Sequence, residues 1–167
     1  MKDHEKLLDR LGACGEACRY ASTHPNPETA WEHCNRADWM IWLLTHVGCD
    51  EPKLFQIYAC WCVRNTPLAD GRKVWDLLTD ERSKNAVVVA ERFSCGEATE
   101  QERAAAWAAA RDAAGDAAWD AAWAATGAAA GAAAWAAARA AQSNKLRELI
   151  PYATVSKLID AYNKRNL

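Results

Sequence analysis

The hydrophobic residues of the first 95 positions recur at intervals of three and four, which is the spacing of amphipathic helices. Strand-type alternation is missing from this region. Asn26 followed by Pro27 is a favoured helix start, and Gly48 and Pro67 are placed to end helices. The predicted helices cover about 3–20, from 27 onward, 36–47, 52–65, 72–78 and 81–93. Together they predict an N-terminal helical bundle over residues 1–95.

A different pattern begins at Thr99, where Thr99 and Glu102 have the spacing of a capping box. Every fourth residue is then Trp, Arg or Gly, and the positions between them are nearly all Ala. The row consists of Arg103, Trp107, Arg111, Gly115, Trp119, Trp123, Gly127, Gly131, Trp135 and Arg139. Because Ala has the highest helix propensity, this array predicts helix regardless of its partners.

The array predicts one long helix over 99–150, kinked near Gly127 and Gly131, with a hairpin broken at these glycines as the alternative. The four-residue period passes through both glycines unchanged, which favours a continuous helix. Such a helix is about 65 Å long at roughly 1.5 Å per residue. A compact domain of this chain length has a radius of gyration of only about 15 Å. We therefore expect the helix to protrude and to self-associate.

The segment beyond Pro151 predicts a short amphipathic helix that carries Val155 and Leu158 on its apolar face. The overall prediction is an all-α protein. Its sequence ranges are a helical bundle over 1–95, a long Ala-rich oligomerisation helix over 99–150, and a C-terminal helix over 151–167. We expect these ranges to form one structural domain.

Composition and charge narrow the classes of partner. The chain has 167 residues, of which 37 are Ala and nine are Trp, and 25 of the alanines lie between positions 104 and 141. Ala buries little apolar surface, so the indoles supply much of the bulk that the array can bury. Twenty basic and 22 acidic residues give a net charge of −2. This balance argues against binding of the nucleic-acid backbone.

The beginning of the chain and its cysteines indicate the compartment. The first residues are charged and lack the apolar core of a secretory signal, and the seven cysteines are an odd number. These features predict free thiols in a reducing cytoplasm rather than a disulfide framework. Residues 121–138 carry no charge, but they are mostly Ala and would gain little from lipid. We therefore expect a soluble, cytoplasmic protein without a membrane segment.

The Trp and Arg residues of the array are the strongest candidates for a binding site. Indole rings stack on flat ligands such as nucleobases, and a guanidinium four residues from a Trp can hold an anion on nearly the same face. The candidate residues for ligand or partner binding are Trp107, Arg111, Trp119, Trp123, Trp135 and Arg139. The alternative is that the indoles only pack into Ala-lined spaces between helices.

Other groups give weaker indications of chemistry. Cys14, Cys18, His33 and Cys34 could supply four zinc ligands, but their spacing is not that of a zinc knuckle, and small buried thiols are the alternative. The sequence contains no nucleophile elbow, metalloprotease motif, phosphate loop or paired-carboxylate motif. We therefore expect no enzymatic activity, no catalytic residue, no cofactor and no metal.

Three stretches precede the Ala array: LDRLGACGEA at 8–17, WEHCNRADWMIWLL at 31–44 and YACWC at 58–62. Together with the array they resemble a family of alanine-rich helical proteins of bacteriophages, prophages and bacterial genomes. Most members are uncharacterised, and some are described as candidate immunity proteins. The resemblance implies a small protein that acts by binding, in the conflict between phage and bacterium.

The leading hypothesis is a non-enzymatic, phage-type binding protein that neutralises a bacterial defence component. It would oligomerise through the long helix over 99–150, which we call the Ala/Trp helix. It would mask a defence protein or sequester a nucleotide-like small molecule between subunits, in the cytoplasm of the host cell. One alternative is a structural or virion-assembly protein whose indoles only pack. Another is an immunity protein that binds a toxin. Neither nucleic acid nor a membrane is an expected partner.

Overall fold

The structure, a computed structural model, describes residues 2–68, 70–110 and 132–166, and in the last range it describes side chains from residue 136. Within these ranges the chain is helical and forms no strand, so the all-α prediction is confirmed there. The helices are α1 (Asp3–Leu11), α2 (Gly15–Ser22), α3 (Pro27–His33), α4 (Ala37–His46), α5 (Pro52–Asn65), α6 (Glu81–Ser94), α7 (100–110), α8 (Ala132–Leu149) and α9 (Tyr152–Arg165). A 3-10 turn, η1, covers Val74–Leu77.

The prediction of one helix over 3–20 is wrong, because the chain turns between α1 and α2. Gly12 adopts a left-handed conformation with φ of 76°, and its N–H donates to the carbonyl of Asp9 at 3.0 Å. The N–H of Ala13 reaches back to the carbonyl of Leu8 at 2.9 Å, which completes a glycine-terminated helix end. The apolar spacing runs across this turn, and the pattern therefore did not reveal it.

The helix predicted over 72–78 is shorter and of a different type. η1 has only four residues, and Asp76 turns its carboxylate back to accept from the N–H of Lys73 at 2.8 Å. This local hydrogen bond satisfies a backbone donor at the start of the turn, and Leu78 is already extended. The segment is therefore a connector between α5 and α6.

The Ala array is helical in both of its described parts, α7 and the first turns of α8. The residues between them, 111–131, lie outside the described part of the chain. The continuity of the long helix and its kink near Gly127 and Gly131 therefore stay a prediction. Among the helices that the structure describes, none combines the length and apolar character needed to cross a bilayer.

Compact packing divides the chain into two units. Unit 1 combines residues 1–50 with 142–167, and unit 2 comprises residues 51–141. This grouping follows contacts in space. The ranges 1–95, 99–150 and 151–167 follow composition and stay a prediction as domain limits.

Unit 1 has a core to which helices from both ends of the sequence contribute. Met40 and Leu44 of α4 are 2% and 0% exposed, and Val155 of α9 is also 0% exposed. Leu7, Trp31, Val47, Leu146 and Ile150 are buried in the same unit. Burying a side chain of this size contributes about 1.5–3 kcal/mol relative to leaving it in water. The C-terminal helices therefore complete the core that the N-terminal helices begin.

A cation meets the C-terminal end of each of three helices in unit 1. Lys2 donates from Nζ to the carbonyl oxygens of Ser22, the last residue of α2, and His24, 2.9 and 2.6 Å away. Arg165 donates to the carbonyl of Val47, at 3.2 Å, beyond the end of α4. The last carbonyls of a helix lack partners within it and carry a partial negative charge, so cations stabilise these positions.

The third of these cations is Arg147 of α8. Its Nη1 donates to the carbonyl of Trp31 at 3.1 Å and to that of Cys34 at 2.7 Å, where α3 ends. Its Nη2 is held by the side-chain oxygen of Asn144 at 2.6 Å. Arg147 therefore connects α8 to the end of α3 through two charge-assisted hydrogen bonds.

Replacing Gly12 with Ala should destabilise the chain by about 1–2 kcal/mol, because a Cβ is strained in the left-handed region. Space is not the cause, since a Cβ at Gly12 would meet no atom within 4 Å. Gly15→Ala is the matched control: a Cβ there meets only Arg19 at 3.5 Å, an ordinary contact. The control should lie within about 0.5 kcal/mol of the wild type. Urea unfolding followed by circular dichroism gives both values, and equal losses would contradict the explanation.

Replacing Arg147 with Met should cost about 2 kcal/mol of unfolding free energy, because two half-buried carbonyls at the end of α3 lose a charged donor. Arg139→Met, at an exposed position of the same helix, should change stability by less than about 0.5 kcal/mol. Thermal unfolding of the two variants at equal concentration makes the comparison. If both variants have the melting temperature of the wild type, Arg147 is not a stabilising link.

Candidate functional site: the Trp107 groove

Trp107, one of the residues singled out in the sequence, lies beside a groove of about 670 Å³ in unit 2. Three helices, α5, α6 and α7, form the groove, which we call the Trp107 groove. The residues that line it are Pro52, Lys53, Gln56, Ala59, Cys60, Val63, Ala86, Val87, Ala90, Phe93, Glu100, Arg103 and Trp107. Trp107 is 62% exposed, so most of its indole is available to a partner.

An arginine clamp holds α5 and α6 together. Arg64 of α5 donates from Nε and Nη2 to the two carboxylate oxygens of Glu91 in α6, at 2.5 and 2.6 Å. The guanidinium also lies 3.9 Å from the centre of the Trp75 ring of η1. A bidentate pair fixes both distance and orientation, so the helix pair is held at a defined spacing. The clamp therefore links two of the three helices that line the Trp107 groove.

The floor of the groove, formed by the α5 and α6 residues of the lining, includes several small residues. Ala59 and Val63 lie four residues apart on α5, and Ala86 and Ala90 lie four residues apart on α6. Residues four apart share a helix face, so each helix presents a stripe of low relief. Such stripes leave a depression between the helices that a partner with small side chains can enter closely.

A capping box starts α7, the helix that carries Trp107. Glu102 accepts from the N–H and the hydroxyl of Thr99 at 2.7 and 2.8 Å, and its own N–H donates to the Thr99 hydroxyl at 3.2 Å. These bonds confirm the capping box predicted from the sequence, and they fix the point where the helix begins. Trp107 follows two turns later.

Arg103 connects α7 to α6 at the rim of the groove. It forms an ion pair with Glu100 one turn earlier, with Nε donating to Oε2 at 2.9 Å. Its guanidinium lies 5.2 Å from the centre of the Phe93 ring on α6. Hydrogen bonding to Arg103 lowers the pKa of Glu100. The charge of Arg103 is therefore offset by a neighbour before any ligand arrives.

The thiol in the floor is a poor nucleophile. Cys60 is 7% exposed, and its Sγ donates to the carbonyl of Val87 at 3.9 Å. Burial raises the pKa of Cys60, and the nearby Glu91 carboxylate raises it further. A raised pKa keeps the thiol protonated at neutral pH, and the protonated form is unreactive. The groove therefore offers an apolar surface with an aromatic rim.

The other sequence-predicted site residues fall in three classes. Arg139, on α8, is exposed. Arg111, Trp119 and Trp123 lie outside the described residues, as does the side chain of Trp135. The binding site built from all six residues stays a prediction.

The cysteine and histidine group considered as possible zinc ligands forms no cluster of three among the described residues. Cys14 is exposed, the thiol of Cys18 donates to the carbonyl of Ala13 at 3.7 Å, and the buried thiol of Cys34 donates to the carbonyl of Arg36 at 3.6 Å. In the part of the chain that the structure covers, no three His, Cys, Asp or Glu side chains are placed to hold one metal ion.

The residues of α5 and α6 that form the floor were missed by the sequence reasoning. Their signal was present as small residues four apart at 59 and 63 and at 86 and 90. The pairing of these two stripes is a long-range contact between α5 and α6, which are also linked by Arg64 and Glu91, 27 residues apart. Helical periodicity identifies a face but not its neighbour.

Comparison of the chain with protein-family models, curated proteins and solved structures finds no match. The resemblance to alanine-rich phage and prophage proteins stays a prediction.

Maleimide should modify Cys95, which is exposed, at least about tenfold faster than Cys60 at pH 7.5, because reaction requires an accessible thiolate. Peptide mapping by mass spectrometry during brief labelling measures both rates. In denaturant the two rates should converge. If Cys60 reacts as fast as Cys95 in the folded chain, the groove floor is more open than the 7% exposure of Cys60 indicates.

Proposed function

We propose that the chain is a non-enzymatic binding protein that covers an apolar surface of another protein with the Trp107 groove. The observation that carries this proposal is a Trp that is 62% exposed beside an apolar groove. Aromatic residues next to apolar pockets are frequent hot spots of protein interfaces. An indole that is exposed to water at this position would bury a large apolar area by insertion into a partner.

The shape of the groove favours a helical partner segment. Its floor runs between two helices held by the Arg64–Glu91 clamp, and its stripes of small residues leave room for a partner backbone. Amphipathic helices bind such grooves through apolar residues three and four apart. Lys53, Glu100 and Arg103 on the rim would select among partners by charge.

The resemblance to phage and prophage proteins suggests the class of target. We infer that the partner is a component of a bacterial defence system, which the chain neutralises by masking its surface in the host-cell cytoplasm. A virion-assembly role would use the same groove to contact another phage protein. An immunity role would use it to contact a toxin.

Sequestration of a nucleotide-like signal is the second candidate mechanism, and the exposed indole of Trp107 favours it through base stacking. A phosphate would need a cation with unused hydrogen-bonding capacity. Of the two cations that line the groove, Arg103 is already paired with Glu100, so Lys53 or the exposed Arg139 would have to hold the phosphate. The rest of the lining is mostly apolar, which suits an apolar partner better than an anion.

We also infer self-association through the Ala/Trp helix. On α7, Ala104, Ala105 and Ala108 are exposed together with Trp107, and small exposed residues let helices approach closely. Native mass spectrometry of the full chain should give a multiple of 18.4 kDa. A monomer at micromolar concentration would remove this part of the proposal. Any nucleotide retained would appear as added mass in the same spectrum.

Trp107→Ala should abolish protection of a phage in bacteria that carry the susceptible defence system. Truncating a hot-spot aromatic costs about 2 kcal/mol or more, which corresponds to about a 30-fold weaker complex. The measurement is plaquing efficiency across a panel of strains that each carry one defence system. Affinity for the purified defence protein is then measured by calorimetry.

Leu77→Ala is the matched control, because Leu77 is 49% exposed in the same unit but does not line the groove. It should retain both protection and affinity, and neither variant should lower the melting temperature appreciably. If the wild-type chain restores plaquing in none of the strains, the proposal that its target is a defence component is contradicted. Full activity of the Trp107 variant would count against the groove.

A further inference from the structure

Unit 1 contains a cavity of about 380 Å³ that the proposed function does not use. The described residues that line it come from α1, α2, α3, α4 and α9 and the turns beside them, and all belong to unit 1. We call it the unit 1 cavity. We propose that it binds an uncharged, apolar small molecule of bicyclic size.

The cavity lies where helices with small side chains pack beside a helix with large ones. Ala17 and Ala21 lie one turn apart on α2, and Ala30 lies on α3, whereas α4 contributes Trp39 and Trp42. The largest side chains at a contact set the distance between packed helices, so alanines beside them leave space unfilled. Added bulk at one of these alanines should therefore fill the cavity.

The cavity extends from the core of unit 1 to its surface. Leu7, Met40 and Val155 line it and are 4%, 2% and 0% exposed. Cys14 and Asp38 also line it, and both are exposed. A small molecule can therefore reach the apolar interior without unfolding of the unit.

The volume of the cavity suits a small molecule better than a segment of a partner protein. An apolar protein cavity of about 150 Å³ is large enough to bind benzene. A cavity of about 380 Å³ therefore has room for two fused rings with substituents. One turn of a helix with its side chains, about 10–12 Å across and 5.4 Å long, occupies roughly 400–600 Å³. A partner helix is therefore too large to enter.

Water is a poor occupant of this space. At roughly 30 Å³ per molecule, the cavity would hold about a dozen waters. Most of the residues that line it are Ala, Leu, Trp or other apolar types, which offer these waters few hydrogen bonds. Displacement of poorly ordered water by an apolar group increases affinity. The cavity therefore favours an apolar ligand.

The one fully charged group of the described lining is already neutralised. Asp38 is the only Asp, Glu, Lys or Arg among these residues. Its two carboxylate oxygens accept from Nε and Nη2 of Arg36 at 2.9 and 2.6 Å. The Arg36 guanidinium also lies 4.2 Å from the centre of the Trp39 ring. A charged ligand would lose its hydration without finding an unpaired counter-charge, so an uncharged ligand is favoured.

Two titratable groups of the lining stay neutral and are engaged with the backbone. The hydroxyl of Tyr20 donates to the carbonyl of Ala30 at 3.0 Å, and burial raises the pKa of Tyr20 to about 12. The thiol of Cys34 donates to the carbonyl of Arg36 at 3.6 Å, and burial raises its pKa as well. Neither group supplies a charge to a ligand at neutral pH.

Three probes of nearly equal size test the class of ligand on the full chain. Each has a naphthalene core with the same substituent at both ends, which is hydroxymethyl, carboxylate or protonated aminomethyl. Any orientation that buries the rings of a charged probe brings one charge into the cavity. In equilibrium dialysis at neutral pH, the neutral probe should bind at least about tenfold more tightly than either charged probe.

A pair of matched variants tests the place of binding. Ala17→Leu adds bulk at the unit 1 cavity and should weaken binding of the neutral probe at least about tenfold. Ala59→Leu makes the same change in the Trp107 groove and should alter binding less than about twofold. Circular dichroism shows whether each variant is folded. Ala30→Leu fills the cavity from α3 and replaces Ala17→Leu if that variant does not fold.

Three results would each overturn the proposal. The first is that the neutral probe does not bind the wild type. The second is that a charged probe binds as tightly as the neutral one, which would mean that the ligand class is wrong. The third is that binding is insensitive to Ala17→Leu but is lost in Ala59→Leu, which would place the probe in the Trp107 groove.

Discussion

The attraction between cations and the C-terminal carbonyls of helices is the interaction on which unit 1 depends. Lys2, Arg147 and Arg165 meet the ends of α2, α3 and α4, where backbone acceptors have no partner within the helix. Short helices have a large share of such unsatisfied groups, and α2 and α3 have only eight and seven residues. The cations therefore satisfy acceptors that make up a larger share of the backbone in these short helices than in long ones.

Arg165 adds a steric requirement to this arrangement. Gly48 follows α4 with φ of 87°, and a Cβ built there would lie 2.9 Å from the Arg165 guanidinium. The glycine therefore allows the left-handed turn and also leaves space for the arginine that reaches Val47. The sequence predicts that the helix stops at Gly48, and the structure confirms this end. The second role depends on a residue 117 positions away and has no local signal.

Features that depend on neighbouring residues could be predicted from the sequence, whereas contacts between distant residues could not. The start of α3 at Asn26 and Pro27 and the capping box at Thr99 are local, and the structure confirms them. The turn at Gly12 was missed because apolar residues continue at helical spacing on both sides of it. The link from Arg147 to Cys34 spans 113 residues, so no short pattern could indicate it. The stripes of small residues in the Trp107 groove were visible in the sequence, but their pairing was not.

Unit 1 is assembled from two separated stretches of sequence, 1–50 and 142–167, and this order has a consequence for biosynthesis. A ribosome adds roughly 5–20 residues per second, so the intervening 91 residues take about 5–20 s to make. During that interval the nascent N-terminal helices lack Leu146 and Val155, which later fill their core. Their apolar faces stay without these partners until residues 142–167 have been made. Folding of unit 1 therefore waits for the synthesis of its second stretch of sequence.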